Sequence, residues 1–211
     1  MTIIQPMLTA QQNTDITNYI NMYRAKNQAP PMTMDANISM VAQQWSYHLL
    51  STGLFQHSGN SNYGENLAQL QGYGTNVTIL LKKAIDLWYN EITLYDFTKP
   101  DFSPATGHFT ALIWAASTSF GLGLSIDMTT NAVDIVMNIS PPGNIIGQFQ
   151  QNVLPTITNA PVNPSVTKTP ITNKEEIINE LMNLITELNM NKKKTQVIAD
   201  IQSVIARLNS A

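Results

Sequence analysis

Two histidines and two glutamates stand out because each lies beside residues that favour burial. His57 occurs in QHSG, Glu65 in YGENLA, Glu91 in LWYNEI and His108 in GHFTALIWAAS. Glu91 follows Trp88 by three residues, on the apolar side of a helical pattern. A buried carboxylate needs a partner because an isolated charge in an apolar environment is costly. Two imidazole nitrogens and two carboxylate oxygens suit Zn²⁺ or a similar divalent ion.

Spacing alone favours a different explanation for these residues. They lie in four separate segments, without the short intervals typical of zinc sites. A buried hydrogen-bonded network that orients loops accounts equally for their types, and the spacing favours it over a metal site. A metal-assisted hydrolase using Glu65 and His108 is a further alternative, although no serine, cysteine or threonine occurs in an obvious nucleophile motif. We assign no role to His48.

Composition narrows the classes of partner. The chain of 211 residues has a net charge of −3 and a pI near 5.5. Phosphate binding needs a basic face, so these values argue against a nucleic-acid-binding protein. Hydrophobic residues make up 43% of the chain, which is enough for a core. Charged residues make up 12%, about half of the ~25% usual in globular proteins.

The absence of cysteine predicts a reducing compartment. Residues 1–9 contain neither a basic segment nor a long apolar run, so we expect no signal peptide. Thr2 stands where N-myristoylation needs glycine. No apolar run is long enough to span a bilayer. We therefore expect a protein that is intracellular or packaged in a particle, is not myristoylated and has no transmembrane segment.

Helical periodicity predicts three helices in the first half of the chain. The first begins with a capping box of Thr9 and Gln12. The segment 58–76 is rich in Gly, Asn and Ser and is interpreted mostly as loop. The predicted helices cover about 10–25, Asp35 to Gly53, and Val77 to about Asn90.

The hydrophobic period changes in the second half. GHFTALIWAAS predicts a short helix at 107–117. Alternation from Phe120 to Ile126 predicts a half-buried strand, which the turn Met128–Asn131 joins to a strand over 133–139. Helices interleaved with an antiparallel hairpin indicate an α+β or layered α-β-α domain.

A separate pattern occupies the end of the chain. Residues 156–171 are rich in Pro, Thr and Asn and predict a linker. Residues 172–211 carry leucine, isoleucine and valine at 4-3-4 spacing and predict a helical hairpin. So short a segment rarely supplies a sufficient core of its own, so we expect it to dock or to oligomerise.

Several motifs resemble the CAP superfamily (cysteine-rich secretory proteins, antigen 5, pathogenesis-related 1). GHFTALIWAAS at 107–117 is similar to its first signature, and IVMNISPPGN at 135–144 resembles its second. GENL at 64–67 looks like a further family motif. YRxKxxxPP at 23–31 and EIxxYxFxxPxF at 91–102 resemble the intracellular, Golgi-associated branch. The resemblance covers about residues 8–155.

This resemblance implies a three-layer α-β-α sandwich, the CAP/SCP domain, over residues 1–155. It also implies a central cleft in which His57, Glu65, Glu91 and His108 hold zinc. Members of the family bind sterols, fatty acids or phospholipids, and some dimerise through the cleft face. We therefore predict a metal-holding protein that binds a lipid, a sterol or a protein. Hydrolysis by the same four residues and assembly through the C-terminal hairpin remain alternatives.

Two departures from the family limit what is carried over. Met137 and Ile139 replace the cysteine and the aromatic residue of the second signature, which affects local packing and a disulfide. Thr2 and the acidic pI remove two devices by which the Golgi-associated relatives hold membranes. Membrane attachment is therefore not predicted for this chain.

Overall fold

A five-stranded sheet with helices on both faces forms the part of the chain that the computed structural model describes, residues 2–157. A 3-10 turn follows the third helix. The elements in chain order are β1 (Ile3–Ile4), α1 (Ala10–Lys26), β2 (Thr33–Met34), α2 (Ala36–Thr52), β3 (Gly64–Gln71), α3 (Val77–Asn90), the 3-10 turn (Glu91–Leu94), α4 (Gly107–Leu112), β4 (Ser119–Asp127), β5 (Ala132–Ser140) and α5 (Phe149–Asn152).

The three long helices begin and end close to where the sequence predicts. Thr9 and Gln12 form the reciprocal capping box at the start of α1. Asp35 caps α2 by accepting from two backbone N–H groups, and Gly53 ends that helix with φ 71°. Among the described helices, none is both long and apolar enough to cross a membrane. The predicted hairpin at 172–211, and all but the first two residues of the predicted linker, lie outside the described residues.

Strand β3 corrects the sequence interpretation. Residues 64–71, assigned to a loop, pair antiparallel with the whole of β5. The sheet order is β1-β4-β5-β3, with β2 pairing in parallel to β4, so β3 lies at an edge. Strand β3 is stabilised by hydrogen bonds to β5 along one of its edges. The surrounding composition, rich in Gly, Asn and Ser, does not reveal this pairing.

Helices cover both faces of the sheet and confirm the three-layer α-β-α architecture. Helix α2 packs on one face through a small cluster of Ala42, Leu49, Leu67 and Val136, with Trp45 at its margin. Helices α1, α3 and α4 pack on the other face, where the larger core lies. The buried side chains of this core include Ile20, Leu81, Trp88, Phe109, Trp114, Phe120 and Ile135.

Strand β4 is buried on both faces, not on one as predicted. The glycines that alternate with its large residues face α2 rather than solvent. A Cβ on Gly121 would lie 2.1 Å from the backbone nitrogen of Ser39, and one on Gly123 would lie 2.2 Å from that of Gln43. Glycine is therefore required here because the helix backbone lies directly on the strand.

Helix α2 also bonds to the edge of β4 that lacks a full-length neighbour. Strand β2 pairs with residues 119–120 and β1 with residues 126–127. Between them, the Gln43 amide donates to Leu124 O at 2.7 Å and accepts from Leu124 N at 3.2 Å. Ser39 Oγ accepts from Leu122 N at 3.3 Å. Side chains of a helix thus satisfy the strand backbone between two short strands.

Candidate functional site

His57 and Glu65 form the first of two imidazole–carboxylate pairs. His57 lies in the loop after α2, and Glu65 is the second residue of β3. Nδ1 of His57 lies 2.8 Å from Oε1 of Glu65, and the backbone N–H of Ser58 donates to the same oxygen at 2.9 Å. The Glu65 side chain is only 8% exposed, whereas the His57 side chain is 62% exposed. A buried carboxylate therefore orients an imidazole that solvent can reach.

His108 and Glu91 form the second pair. Glu91 follows α3 directly and begins the 3-10 turn, and His108 lies in the first turn of α4. Nδ1 of His108 lies 2.6 Å from Oε1 of Glu91. Oε2 of Glu91 accepts from the backbone N–H groups of His108 at 3.0 Å and Phe109 at 3.1 Å. Both carboxylate oxygens are thus engaged by the start of α4.

Edge strand β3 connects the two pairs. Successive strand residues point to opposite faces, and Leu67 packs in the α2 layer while Ala68 packs in the other. Glu65 accordingly lies on the α2 side, where it meets His57. Asn66 points to the other side, where its Nδ2 donates to the carbonyl of His108 at 2.9 Å. Adjacent residues of one strand therefore contact both histidines.

The motifs at 107–117 and 135–144 meet at the helix that carries His108. Asn144 donates from Nδ2 to Gly107 O at 2.9 Å and accepts from the hydroxyl of Thr110 at 2.6 Å. Gly143 lies against the ring of Trp114, so closely that a Cβ there would approach it to 2.8 Å. The loop after β5 therefore fixes the short helix that carries His108.

Both rings use Nδ1 for the contact with a carboxylate, which leaves Nε2 as the other ring nitrogen. A contact of 2.6–2.8 Å between Nδ1 and an ionised carboxylate requires the proton on Nδ1. In a neutral ring with the proton on Nδ1, Nε2 carries the lone pair, as in histidines that bind metal while donating to a carboxylate. Within residues 2–157, no group of three or more His, Cys, Asp or Glu side chains is arranged to hold a metal ion. The structure thus joins the four predicted residues as two pairs, not as one four-ligand cage.

Comparison with protein-family models matches residues 17–138 to CAP, the cysteine-rich secretory protein family. The match covers more than half of the chain and includes both pairs. The chain belongs to the CAP family. The fold and the family resemblance predicted from the sequence are therefore confirmed, whereas zinc, lipid and partner binding are not tested by this match.

Two curated relatives resemble this CAP domain in sequence. Golgi-associated plant pathogenesis-related protein 1 of Homo sapiens is 35% identical over 150 residues, which cover 69% of this chain and 94% of that protein. Protein PRY2 of Saccharomyces cerevisiae is 35% identical over 144 residues, which cover 68% of this chain and 41% of that protein. The chain therefore spans nearly all of the human relative but less than half of the yeast one.

Solved structures agree with the CAP fold. A crystal structure of NaASP2 with Zn²⁺ superposes with a TM-score of 0.56 at 16% identity, covering 71% of this chain and 87% of that one. The hookworm platelet inhibitor gives a TM-score of 0.53 at 15% identity, covering 72% and 81%. Identities this low show a shared fold and carry nothing about ligands to this chain.

A polar cavity opens beside the first pair of the CAP domain. It has a volume of about 330 Å³ and is lined by residues 57–61 with Tyr63 and Glu65. Oε2 of Glu65 is buried without a hydrogen-bond partner among the described residues. A carboxylate oxygen with no donor, beside an exposed imidazole, marks this end of the CAP site as the one with unused bonding capacity.

Three residues at the CAP site were not predicted from the sequence as site residues. Ser58 and Asn66 bond to the site through a backbone N–H and a side-chain amide. Asn138 is buried on β5, directly opposite Glu65. The signal for Asn66 and Asn138 was their place in the two family motifs, but motif membership does not reveal a bonding partner. His48 stacks on Trp45 with ring centroids 4.5 Å apart.

Proposed function

We propose that this CAP domain holds a divalent ion, with zinc the best match, through His57 and His108, at the end of edge strand β3 where Glu65 and Asn66 contact the two histidines from opposite sides. Glu65 and Glu91 orient the two rings. The observation that supports this function is the same in both pairs: Nδ1 bonds to a carboxylate, at 2.8 Å and at 2.6 Å. Carboxylate–histidine pairs of this kind fix the tautomer and the ring direction of zinc-binding histidines.

The proposal assigns different tasks to the two residue types. Both oxygens of Glu91 are already engaged by His108 and Phe109. Oε1 of Glu65 is engaged by His57 and Ser58. We therefore assign the imidazoles as the direct ligands: Glu91 acts through His108, and Glu65 acts through His57 at Oε1 while its Oε2 has no partner among the described residues. Bound zinc would supply positive charge and open coordination positions to a polar group of a ligand.

We further propose that the cleft binds a lipid with a polar head group, such as a sterol. Support comes from exposed apolar side chains around the helix that carries His108. The ring of Phe102, 46% exposed, lies 3.3 Å from where a Cβ of Gly107 would stand. Ile145 and Ile146, 42% and 71% exposed, directly follow Asn144, which bonds to Gly107. Apolar surface beside a charged centre suits an amphipathic ligand.

Metal analysis tests the ion. Protein prepared without an affinity tag is expected to retain about one zinc per chain, since the proposal assigns both imidazoles to the same ion. The double variant His57→Ala/His108→Ala is expected to lose it. His48→Ala is the matched control because it removes the remaining histidine, which stacks on Trp45. Wild-type protein without zinc, or a double variant that binds it equally well, would overturn the proposal.

Binding of a labelled sterol tests the lipid. The double variant Phe102→Ala/Ile146→Ala is expected to weaken binding by about tenfold or more, since burying each side chain contributes about 1.5–3 kcal/mol. Met40→Ala is the control, because Met40 is 57% exposed on α2. Equal affinity of the double variant and the control would contradict the assignment of this surface.

Two alternatives from the sequence stay predictions. A hydrolase would lose turnover of an ester or peptide in Glu65→Gln, so turnover that survives this substitution counts against it. An assembly protein would act through residues 172–211, and light scattering of the full chain against residues 1–155 compares their states. The same number of chains per particle in both would exclude assembly by that segment.

An intracellular location is likewise a proposal, although the human relative is described as Golgi-associated.

A further inference from the structure

Two buried side-chain oxygens on neighbouring strands have no hydrogen-bond partner among the described residues. They are Oε2 of Glu65 on β3 and Oδ1 of Asn138 on β5. The strand register places these two residues directly opposite each other. Directly opposed residues share a face of the sheet, with Cβ atoms about 4.5–5.5 Å apart, so their side chains are within reach of each other. Buried polar groups left without partners require an explanation.

The second imidazole–carboxylate pair shows what the first one lacks. Glu91 bonds to the ring of His108 through Oε1 and receives two backbone N–H groups at Oε2. Glu65 receives both of its donors, from His57 and Ser58, at Oε1. A carboxylate that is to hold a ring in one direction is fixed best when both of its oxygens are bonded. A donor to Oε2 of Glu65 is therefore the missing element.

Asn138 is placed to supply that donor. Its other cross-strand neighbour is Gly121 on β4, which has no side chain to bond. The two ends of an asparagine amide differ little in size, and a half-turn about its terminal bond exchanges the acceptor for the Nδ2 donor. Asn138 is only 2% exposed and its Oδ1 is buried without a partner among the described residues, so that oxygen has no access to water.

We propose that Asn138 is a positioning residue of the site, whose Nδ2 donates to Oε2 of Glu65 and thereby fixes the carboxylate that orients His57. His57 lies on a loop and is largely exposed, so its ring direction depends on Glu65. Glu65 in turn is held by a residue of β5, a strand that is paired on both sides. The hydrogen bonds then run from the middle of the sheet to an exposed imidazole.

The tautomer of His57 tests this inference without metal. In the metal-free protein at mildly alkaline pH, NMR of the ring nitrogens is expected to show the proton on Nδ1 in both His57 and His108. Asn138→Leu keeps the approximate shape and removes the amide. It is expected to shift His57 toward the Nε2–H tautomer and to leave His108 unchanged. Asp134→Asn, on the same strand and face four residues away, is the control and should change neither ring.

An unchanged His57 tautomer in Asn138→Leu would overturn the inference. A second measurement remains if that variant does not fold. In Glu65→Ala, an Asn138 side-chain amide proton bonded to the carboxylate is expected to move upfield, whereas Glu91→Ala should leave it in place. Asn138 amide resonances that are the same in both variants and in the wild type would also overturn it.

Zinc affinity links the inference to the proposed function, on which this part alone depends. If the domain binds zinc, Asn138→Leu is expected to weaken binding about ten- to a hundredfold, the usual effect of losing an outer-shell partner. A tautomer shift in a protein that binds no zinc would refute the zinc proposal and leave the role of Asn138 standing. Zinc binding with no tautomer shift would refute the role of Asn138 and leave the zinc proposal standing.

Discussion

Asn144 accepts a 2.6 Å hydrogen bond from the hydroxyl of Thr110 and so joins the loop after β5 to the helix that carries His108. The same side chain donates to the carbonyl of Gly107 at 2.9 Å. Asn144 has φ 58°, in the left-handed region that asparagine tolerates better than most residues. One residue therefore provides a backbone turn and two bonds to the first turn of α4.

Asn144→Ala is expected to destabilise the domain by about 2–4 kcal/mol. Each lost hydrogen bond contributes about 1 kcal/mol, and a left-handed alanine costs roughly 1–2 kcal/mol more. Asn144→Gly separates the two effects because glycine adopts the turn without strain. Urea unfolding measures the difference. Equal stability of the alanine and glycine variants would mean that the backbone turn contributes nothing.

Glu91→Gln is expected to weaken zinc binding about ten- to a hundredfold with little loss of stability. The two backbone N–H groups at Oε2 need an acceptor, so the glutamine oxygen takes that place. The NH₂ group then faces Nδ1 of His108 and moves the ring proton to Nε2, which blocks the ligand position.

A chelator competition assay measures the zinc affinity of Glu91→Gln. Asp101→Asn, in the exposed segment before α4, is the control for removing one negative charge. If both variants lose affinity equally, the effect would be one of overall charge and not of the tautomer of His108.

Arg24→Lys is expected to cost about 2–4 kcal/mol. Arg24 is fully buried in α1 and donates to the carbonyls of Pro30, Leu112, Trp114 and Ser117 at 2.8–3.0 Å. Burial lowers the pKa of Arg24 to about 10, which still leaves it charged at neutral pH. Lysine cannot reproduce the planar fork, and each buried carbonyl left unpaired costs about 1–3 kcal/mol.

Thermal unfolding compares Arg24→Lys with Lys26→Met. Lys26 is exposed in the last turn of the same helix, with its ammonium 4.9 Å from the centre of the Tyr23 ring. Loss of that contact is worth about 0.5–1 kcal/mol at an exposed site. If Arg24→Lys is as stable as Lys26→Met, the four carbonyls that Arg24 contacts find other donors.

Asp134→Asn is expected to stabilise the domain at neutral pH and not at acid pH. Burial raises the pKa of Asp134 above its ordinary value, although the bond from Gln69 acts in the opposite direction. The folded state therefore holds this proton more tightly than the unfolded state. The stabilisation that comes from this tighter proton binding is complete below about pH 4. It is lost as the pH rises through the folded-state pKa of Asp134.

Melting temperatures of wild type and Asp134→Asn across this pH range test the sign. The two melting temperatures should coincide at acid pH and differ by about 2–4 °C at neutral pH. This is the shift that roughly 1 kcal/mol causes in a chain of this size. Gln69→Leu provides a second check, because removing its bond to Asp134 raises the pKa further and should lower stability at neutral pH. A wild type that is the more stable protein at neutral pH would contradict the prediction.

The sequence was informative where structure depends on local chemistry. The capping box of Thr9 and Gln12 and the caps of α2 at Asp35 and Gly53 lie where they were predicted. Helix ends depend on the few residues around them, so single-sequence patterns detect them. The hairpin of β4 and β5 was recognised for the same reason, from alternation interrupted by a short polar turn.

Sequence reasoning failed where a distant partner decides the outcome. Strand β3 was missed because its order comes from pairing with β5, nearly 70 residues later in the chain. The glycines of β4 were assigned to solvent because alternation shows a period but not what covers the second face. In the site, the four residue types were predicted. Which histidine pairs with which carboxylate was not, since spacing carries no information about contacts between segments.

The bonds from α2 to the middle of β4 have a consequence for how the molecule avoids unwanted association. A row of free N–H and C=O groups along a strand recruits strands from other chains and promotes domain swapping and aggregation. Ser39 and Gln43 occupy those groups between the short strands β1 and β2. Closing this gap with side chains of a tightly packed helix leaves no room for an invading strand, so the glycines of β4 protect solubility as well as packing.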